Sequence, residues 1–546
     1  MSNGGIEAHA STTTHGAPVA KAAEGAREPA NIMTRANAMN LRDLRRGISF
    51  GTLGGGMLFV GFAVLAALMP AQNDTWWHLR AGQDIWGTHQ IPRIDHYSHT
   101  FAGAPWPDHE WVTQAVMYFI YRVGGMAGLE LAAAGLVLSA AALTWRVMIG
   151  PGATRMTLMT IGLLLSSCVW VLRPVLVSDF LLALLLLLLA RERFWIIPLL
   201  FVGWANAHGG VVLGGLVLAS AWASALLCWW RARTPANRRR VIVLTPVVAL
   251  SGLACAAAPL GFGIYRFVIE STARSMAVRI DEWFPPTPTN LFGVLFWAGT
   301  LAFVALVVAR RRAFIDGSTA WADWVVVVAA LALLPLAVRS LRNTAPFVLF
   351  AAPAASRLLG AEFRFRLPAA LARMRGSAAA RPASPEHPRL NLALLGGMGA
   401  AAIAFLALAF RASPERLNWR PIGDEALAAA RACEGPLYNH YDDGGTLIWF
   451  LPEKPVFVDG RQDPYPIPFL LEFAAVEAGQ APHGPLFDRF HIRCALLSTK
   501  SVTVSALERE GWTTRFHDGK WAVLAAPPTA AAKSASRPAT TTGGVR

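Results

Sequence analysis

Charged residues are scarce in this chain of 546 residues: they form 15% of it, whereas soluble domains carry about a quarter. The shortage is concentrated in long uncharged apolar runs, which include residues 181–190, 213–230 and 325–338. An ordinary soluble enzyme is thereby excluded. Runs of this length predict a polytopic α-helical membrane protein.

Cysteine is also rare, with five residues and no pair at the Cys-x-x-Cys spacing of thiolate metal sites. Cys168, Cys228 and Cys255 lie in apolar runs, where a free thiol behaves as a small hydrophobic side chain. Cys433 and Cys494 lie in the C-terminal region, and they can pair there if that region faces an oxidising compartment.

Acidic residues are outnumbered by basic ones, and the formal net charge is +15. Most Lys and Arg residues stand in short connections between apolar runs, where positive charge fixes the orientation of membrane segments. The basic balance therefore follows from membrane topology, and nucleic acid is not expected as a partner.

The apolar runs predict eleven membrane segments, at residues 49–70, 124–144, 156–172, 175–190, 194–205, 210–230, 241–258, 291–309, 320–337, 344–356 and 391–410. If the N-terminus is cytoplasmic, every inner connection is basic, from Arg42, Arg45 and Arg46 to the stretch 357–390. The outer connections are then residues 71–123, 206–209, 259–290, 338–343 and all those after 411.

This layout predicts about 11 transmembrane helices within residues 45–411 and a small extracytoplasmic α/β domain over residues 412–527. Residues 1–44 and 528–546 are expected to be a disordered cytoplasmic N-terminus and a disordered tail. The elements predicted in the α/β domain are a helix at 425–433, buried strands at 455–459 and 494–498, turns at 442–445 and 459–461, and a hairpin whose strands 513–516 and 521–525 flank Asp518-Gly519.

The first outer connection, residues 71–123, carries the densest set of ionisable side chains, and five of the thirteen histidines fall within residues 78–109. An ionisable cluster at a bilayer surface is costly to desolvate, which points to chemistry there. Asp74 and His78 are four residues apart and share one face if the segment is helical. The candidate residues here are Asp74, His78, Arg80, Asp108, His109 and Glu110.

Polar residues of later segments are predicted to lie at the same membrane face. Each has an ordinary explanation as an interfacial anchor or a helix cap, but their shared side predicts one outward-facing polar pocket at membrane depth. Carboxylates there suit a general base, and arginines suit a phosphate group. These residues are Arg173, Asp179, Asn206, His208, Glu282, Arg339 and Arg342.

The arrangement resembles the GT-C superfamily of integral-membrane glycosyltransferases, which includes protein mannosyltransferases, the aminoarabinose transferase of lipid A and the catalytic subunit of oligosaccharyltransferase. The shared features are a first helix, a long first outer connection that opens on an acidic residue, and many further helices. Over residues 45–525 the chain also resembles a group of bacterial membrane proteins of this type. Their patterns stand here as Asp74-Thr-Trp-Trp-His-Leu-Arg-Ala-Gly82, Ile91-Pro-Arg-Ile-Asp95, His109-Glu-Trp111, Trp204-Ala-Asn-Ala-His-Gly-Gly210 and Val458-Asp-Gly-Arg461.

The resemblance implies transfer of a sugar from a polyprenyl-phosphate donor to an extracytoplasmic acceptor, which would be a glycolipid, a polysaccharide or a protein. Asp74 matches the family's acid after the first helix, which implies a general base or an acceptor ligand. Glu110 or Asp108 would be the second acid, and His78 is a further catalytic candidate. The candidates for binding donor phosphate or substrate are Arg80, Arg173, Arg339, Arg342, His109, Asn206, His208 and Glu282.

Other interpretations stay open at this stage. One of them is a divalent metal ion bound by Asp74, His78, Asp108 and Glu110. The chain has no pair of acidic residues directly after the first helix, however, because Asn73 precedes Asp74 there. A lipid or polysaccharide transporter is another, and a non-catalytic component of polysaccharide assembly is a third. In each case the expected location is a bacterial inner membrane, with the C-terminal domain in the periplasm.

Overall fold

The computed structural model describes residues 47–277, 280–315, 319–360, 363 and 387–527. The expected disorder of residues 1–44 and 528–546 lies outside the described residues, as does most of the basic stretch 357–390. The described chain is mainly helical, with one small sheet near its C-terminal end.

The helices up to residue 412, which include the candidate membrane spans, are numbered in chain order. They are α1 (Phe50–Ala66), α2 (Asn73–Thr88), α3 (Trp111–Trp145), α4 (Gly152–Ser166), α5 (Val175–Ala190), α6 (Ile197–Ala207), α7 (Val211–Arg231), α8 (Pro235–Ala254), α9 (Gly263–Ala277), α10 (Leu291–Ile315), α11 (Trp321–Arg339), α12 (Thr344–Leu359) and α13 (Pro388–Ala412). Short 3-10 turns stand at Ser167–Val169, Phe194–Ile196, Cys255–Ala257, Asp281–Trp283 and Leu341–Asn343.

The C-terminal region contains short helices and all four strands of the described chain. The helices are α14 (Asp424–Ala432), α15 (Tyr441–Phe450), α16 (Ile467–Glu477), α17 (Gly484–Arg489) and α18 (Val502–Arg509). The strands are β1 (Leu437–Asn439), β2 (Cys494–Ser498), β3 (Thr513–His517) and β4 (Trp521–Ala525).

Seven helices within the described ranges are long and apolar enough to cross a membrane. They are Trp111–Trp145, Gly152–Val169, Val211–Arg231, Pro235–Ala257, Leu291–Arg312, Trp321–Arg339 and Pro388–Ala412. Three apolar helices are shorter, at Phe50–Ala66, Val175–Ala190 and Phe194–Ala207, and α12 has 16 residues. Each of the eleven predicted segments thus coincides with a helix, and the chain is a multi-pass membrane protein. The number of full crossings stays a prediction.

The first outer connection is helical at both of its ends. α2 occupies its beginning, so Asp74 and His78 do share a helix. α3 begins at Trp111 instead of residue 124, and it is broken at Gly125, where φ is 60° and ψ is −157°. Glycine adopts this backbone conformation without a Cβ clash. The break divides α3 in two, and the part after it corresponds to the predicted segment 124–144.

The middle of the helix bundle is filled by apolar side chains. Leu182 and Leu186 of α5, Val325 of α11 and Phe350 of α12 are fully buried in one cluster. Residues 172–174, 208–210 and 340–343, which precede α5, α7 and α12, lie together at one face of the bundle, around two cavities.

The sheet has the strand order β1-β2-β4-β3, with β1 parallel to β2 and the other pairs antiparallel. β3 and β4 form the predicted hairpin, and β2 coincides with the predicted strand 494–498. The sequence also allowed the disulfide between Cys433 and Cys494, whose Cα atoms are 5.9 Å apart.

Two predictions for the C-terminal region are wrong. Residues 455–459 are not a strand of the sheet, because Val456 bonds instead to the first outer connection, from its N to Tyr97 O at 2.9 Å. Residues 442–445 are not a turn but belong to α15, which packs on α2. Gly445 allows this close contact, since a Cβ there would lie 2.5 Å from Asn73 O.

Candidate functional site

The first turn of α2 holds Asp74 against the end of another connection. Thr75 Oγ1 donates to Leu172 O at 2.9 Å, which places the next residue, Arg173, opposite Asp74. Arg173 Nη1 donates to Asp74 Oδ2 at 2.6 Å, and Trp77 Nε1 donates to Asp74 Oδ1 at 3.1 Å. The start of a helix also favours a carboxylate through the helix dipole. Both oxygens of the Asp74 carboxyl group are therefore held in a fixed position.

A chain of alternating charges continues from Arg173. Arg173 Nη2 donates to Glu282 Oε2 at 2.7 Å, and Arg342 Nη1 donates to Glu282 Oε1 at 2.9 Å. Burial alone would raise the pKa of Glu282, but the charges and hydrogen bonds of Arg342 and Arg173 lower it to about 2. Glu282 is consequently ionised at neutral pH. Arg342 also lies over the ring of Trp283, 5.0 Å from its centroid.

Three histidines surround Glu110. His208 Nε2 is 3.4 Å from Glu110 Oε1, His109 Nε2 is 3.7 Å from the same oxygen, and His78 Nδ1 is 3.7 Å from Oε2. Burial, and to a lesser degree the charge of Asp108, raises the pKa of Glu110 to about 8. Burial also lowers the pKa of His109 to about 4 and those of His78 and His208 well below their usual value. Near neutral pH, uncharged imidazoles thus face a carboxyl group that carries a proton much of the time.

The hydrogen bonds of His208 assign its tautomer. Gly210 N donates to His208 Nδ1 at 2.9 Å, so Nδ1 is an acceptor and the ring proton is on Nε2. This proton-bearing nitrogen lies 3.4 Å from Glu110 Oε1. Gly210 has to be glycine here, because a Cβ would lie 2.3 Å from Ser178 Oγ and 2.8 Å from His208 Nδ1.

The metal set considered from the sequence is not assembled. Asp74 is bound by Arg173, and Asp108 Oδ1 accepts from Gln114 Nε2 at 2.9 Å. Across the ranges that the structure describes, no group of three or more His, Cys, Asp or Glu side chains is arranged to hold a metal ion.

Two adjoining cavities open at this face. The larger has a volume of about 970 Å³ and is lined by the charged groups described above. The smaller has a volume of about 390 Å³, and most of the surface of its wall is apolar, with contributions from Leu213 of α7, Val268 of α9 and Leu336 of α11. Glu110 and Arg342 line both cavities and therefore mark their junction.

The C-terminal region supplies a wall of the larger cavity that sequence reasoning missed. Tyr441, Asp442, Gly460 and Asp463 all line it. Gly460 lies so close to the site that a Cβ on it would be 2.3 Å from Asp74 Oδ1. The sequence predicts only a turn at residues 459–461, and nothing local in this motif indicates contact with a residue far away along the chain.

Arg461 joins the C-terminal region to the first outer connection. Its Nη2 donates to Asp95 Oδ1 and to Asp459 Oδ2, both at 2.7 Å, and all three side chains are fully buried. The guanidinium also lies 4.8 Å from the ring centroid of Tyr97 and 4.6 Å from that of Trp106. A buried charge is tolerated only when it is paired in this way, so separating the two parts of the chain would leave buried charges unpaired.

Most of the predicted site residues do meet. Those that line the larger cavity are Asp74, His78, Asp108, His109, Glu110, Arg173, His208, Glu282 and Arg342. Asp179 and Arg339 line the smaller cavity.

The predicted binding residues Arg80 and Asn206 are absent from the linings of both cavities, and each is bonded elsewhere. Arg80 Nε donates to Asp84 Oδ1 at 3.1 Å, one helical turn further along α2. Asn206 Oδ1 accepts from Trp111 Nε1 at 2.9 Å and thereby fastens the end of α6 to the start of α3. Both side chains are engaged in holding the scaffold of the site.

Comparison with protein-family models gives no match, and comparison with curated protein sequences gives none. Among solved structures, the chain is similar to the archaeal oligosaccharyltransferase AglB from Archaeoglobus fulgidus in complex with an inhibitory peptide and a dolichol-phosphate. The TM-score is 0.50 at 11% identity, over 82% of this chain and 69% of that one. ArnT from Cupriavidus metallidurans bound to undecaprenyl phosphate matches with a TM-score of 0.47 at 18% identity, over 87% and 98%. The match to AglB confirms the predicted resemblance at the level of the fold.

Proposed function

We propose that this protein is a GT-C-type glycosyltransferase that moves a sugar from a polyprenyl-phosphate donor to an extracytoplasmic acceptor. The observation that carries the proposal is the junction, at Glu110 and Arg342, of a cavity lined by many charged groups with one whose wall is mainly apolar. A lipid-linked sugar phosphate needs such a junction, because its prenyl chain requires apolar walls while its phosphate and sugar require polar ones.

The donor would lie with its prenyl chain in the smaller cavity and its phosphate at the arginines. Arg339 and Arg342 both line that cavity, and guanidinium groups bind phosphate oxygens through two parallel hydrogen bonds. The neighbouring structures support the choice of ligand, since AglB holds a dolichol-phosphate and ArnT holds undecaprenyl phosphate.

The acceptor would occupy the larger cavity, beside Asp74. Asp74 takes the proton from an acceptor hydroxyl or amine, whose oxygen or nitrogen forms a bond to the anomeric carbon of the sugar. The bond between that carbon and the phosphate oxygen breaks, and its electron pair leaves with the polyprenyl phosphate. Arg342 and Arg173 stabilise the charge that develops on the leaving group.

Glu110 is the second acid of the proposed site. With His78 and His109 beside it, it can accept or donate a hydrogen bond toward a ligand at the junction. We assign it the positioning of the acceptor, and it is the next candidate for the base.

A transporter fits the described residues less well. The polar groups gather at one face, and the bundle below them is filled by the apolar cluster around Leu186 and Phe350. Transport would require polar groups along a path through that cluster.

The test is sugar transfer by purified protein in lipid from a panel of polyprenyl-phosphate sugars, with Asp74→Asn compared to wild type. We expect turnover to fall by at least about 100-fold in the variant, as is usual when a general base is removed. Asp488→Asn, which changes an exposed acid in the C-terminal region, is the matched control and should keep full turnover. Unchanged turnover in Asp74→Asn moves the base to Glu110 or Asp108, and no turnover by wild type with any donor rejects the transferase.

We further propose that the protein lies in a bacterial inner membrane, with a cytoplasmic N-terminus and residues 412–527 forming a periplasmic domain. Support comes from the basic inner connections of the sequence. In this orientation, a membrane-impermeant thiol reagent labels Asp488→Cys in intact cells above the background of the unsubstituted chain. Labelling only after the cells are opened would show that the C-terminal region faces the cytoplasm, which contradicts the proposed orientation.

A further inference from the structure

Two arginines at the junction of the cavities share one carboxylate. Glu282 offers one oxygen to Arg173 at 2.7 Å and the other to Arg342 at 2.9 Å. A tetrahedral phosphate presents neighbouring oxygens to guanidinium groups in the same manner as a carboxylate does. The two arginines are therefore spaced for an anion with at least two acceptor oxygens, and Glu282 fills that place.

A ligand that enters through the smaller cavity reaches this arginine pair. Arg342 lines both cavities, and Arg339 lines the smaller one. Within the described part of the chain, the hydrogen bond found for Arg339 is a weak one to Met276 Sδ, at 3.6 Å. An anionic headgroup on a prenyl chain would thus meet Arg339 first and Arg342 next.

Glu282 and a bound phosphate cannot share the site. Arg173 and Arg342 carry two positive charges, which Asp74 and Glu282 already balance. A phosphate between the arginines would lie within about 4 Å of the Glu282 carboxylate, where like charges repel by several kcal/mol at the dielectric of a protein surface. One of the two anions has to leave.

The side chain of Glu282 can leave without rearranging its backbone. Its carbonyl oxygen accepts from Ser340 Oγ at 3.0 Å, and the next residue but one, Phe284, accepts from Leu341 N at 2.8 Å. These bonds fix the 3-10 turn Asp281–Trp283 beside Arg342. The side chain itself is 26% exposed and faces the larger cavity, so a change of rotamer carries the carboxylate into open space.

We propose that the Arg173–Arg342 pair is the binding site for an isoprenyl phosphate, and that Glu282 occupies it as an internal anion until the phosphate displaces it. The inference rests on the proposed function for the identity of the ligand. Glu282 thereby holds both arginines in place in the empty protein, and it lowers the apparent affinity for the donor by the fraction of molecules in which it is bound.

The test is direct binding of farnesyl phosphate to the full chain in lipid nanodiscs, with farnesol as the uncharged probe. Glu282→Gln removes the competing charge, so the Kd for farnesyl phosphate should fall by at least about tenfold while binding of farnesol stays unchanged. Arg342→Gln should raise the Kd for farnesyl phosphate. Glu472→Gln is the matched control, since Glu472 also pairs with an arginine, Arg489, but lines neither cavity, and it should bind like wild type.

A second variant protects the test against loss of folding. Glu282→Asp keeps the charge but is one methylene too short to reach both arginines, so it should show a smaller gain in affinity. Equal or weaker binding of farnesyl phosphate by folded Glu282→Gln overturns the inference, as does a failure of every form to bind. If wild type transfers sugar while Glu282→Gln binds no tighter, the transferase stands and the displacement is wrong. Tighter binding by Glu282→Gln without transfer from any donor supports the phosphate site and rejects the transferase.

Discussion

Replacing Gly460 with alanine tests whether the position of the Asp74 carboxylate determines turnover. A Cβ at residue 460 would lie 2.3 Å from Asp74 Oδ1, whereas ordinary contact begins at 3.4 Å. Either the carboxylate oxygen or the backbone at Gly460 therefore has to move by about 1 Å. The neighbouring Asp459 and Arg461 are fully buried in their ion pair, so the side chain of Asp74 is the part that gives way.

The displacement acts on a carboxylate that is bound on both oxygens. Asp74 Oδ1 accepts from Trp77 Nε1, and Oδ2 accepts from Arg173 Nη1. Loss of one hydrogen bond to a charged group costs about 1.5–3 kcal/mol, which a protein of this size withstands. A misplacement of about 1 Å at a reacting group costs on the order of 100-fold in rate. Gly460→Ala should accordingly lose turnover by about that factor and remain folded.

The assay is sugar transfer by purified protein in lipid, with the melting temperature measured on the same samples. Gly484→Ala is the matched control, because no atom lies within 4 Å of a Cβ at that position. The reasoning is refuted if Gly460→Ala turns over like wild type while melting at the same temperature. That result would mean either that the carboxylate of Asp74 has room to shift or that its position does not matter for transfer.

Three further predictions concern stability. Reduction of the disulfide between Cys433 and Cys494, which closes a loop with a separation of 61 residues, should destabilise the C-terminal region by about 4 kcal/mol; unchanged protease resistance with reductant would contradict it. Arg461→Met leaves Asp95 buried without its partner and should lower the free energy of unfolding by about 3–5 kcal/mol, which is measured as a lower melting temperature. An unchanged melting temperature would contradict this prediction. Folding raises the pKa of Glu110 from 4.5 to about 8. The protonated Glu110 therefore contributes to the stability of the folded protein in full below pH 4.5, and this contribution is lost as the pH rises through about 8. The melting temperature should fall over that range, and Glu110→Gln should flatten the fall; an equal slope in both proteins would refute it.

The sequence alone determined the class of the protein and predicted that its polar side chains gather at one face. Long uncharged apolar runs are unfavourable in water and favourable in a membrane, where the backbone has to form helices. Composition therefore predicts the helices, and each of the eleven segments coincides with one. The hairpin at Asp518-Gly519 is equally local, because its turn chemistry lies in adjacent residues. Charge patterning then predicted that Asp74, Arg173 and Glu282 would share a face, and they meet in one chain of ion pairs.

Tertiary structure alone decided which of the candidates face the cavities and which hold the scaffold. Arg80 and Asn206 carry the same kinds of group as the lining residues, but Asp84 and Trp111 engage them. The contact of Gly460 with Asp74 joins residues that lie hundreds of positions apart, and no local pattern of hydrophobicity or turn chemistry encodes such a contact. Its existence depends on how the C-terminal region packs against α2, and that packing is fixed by the sum of many contacts distributed over the whole fold.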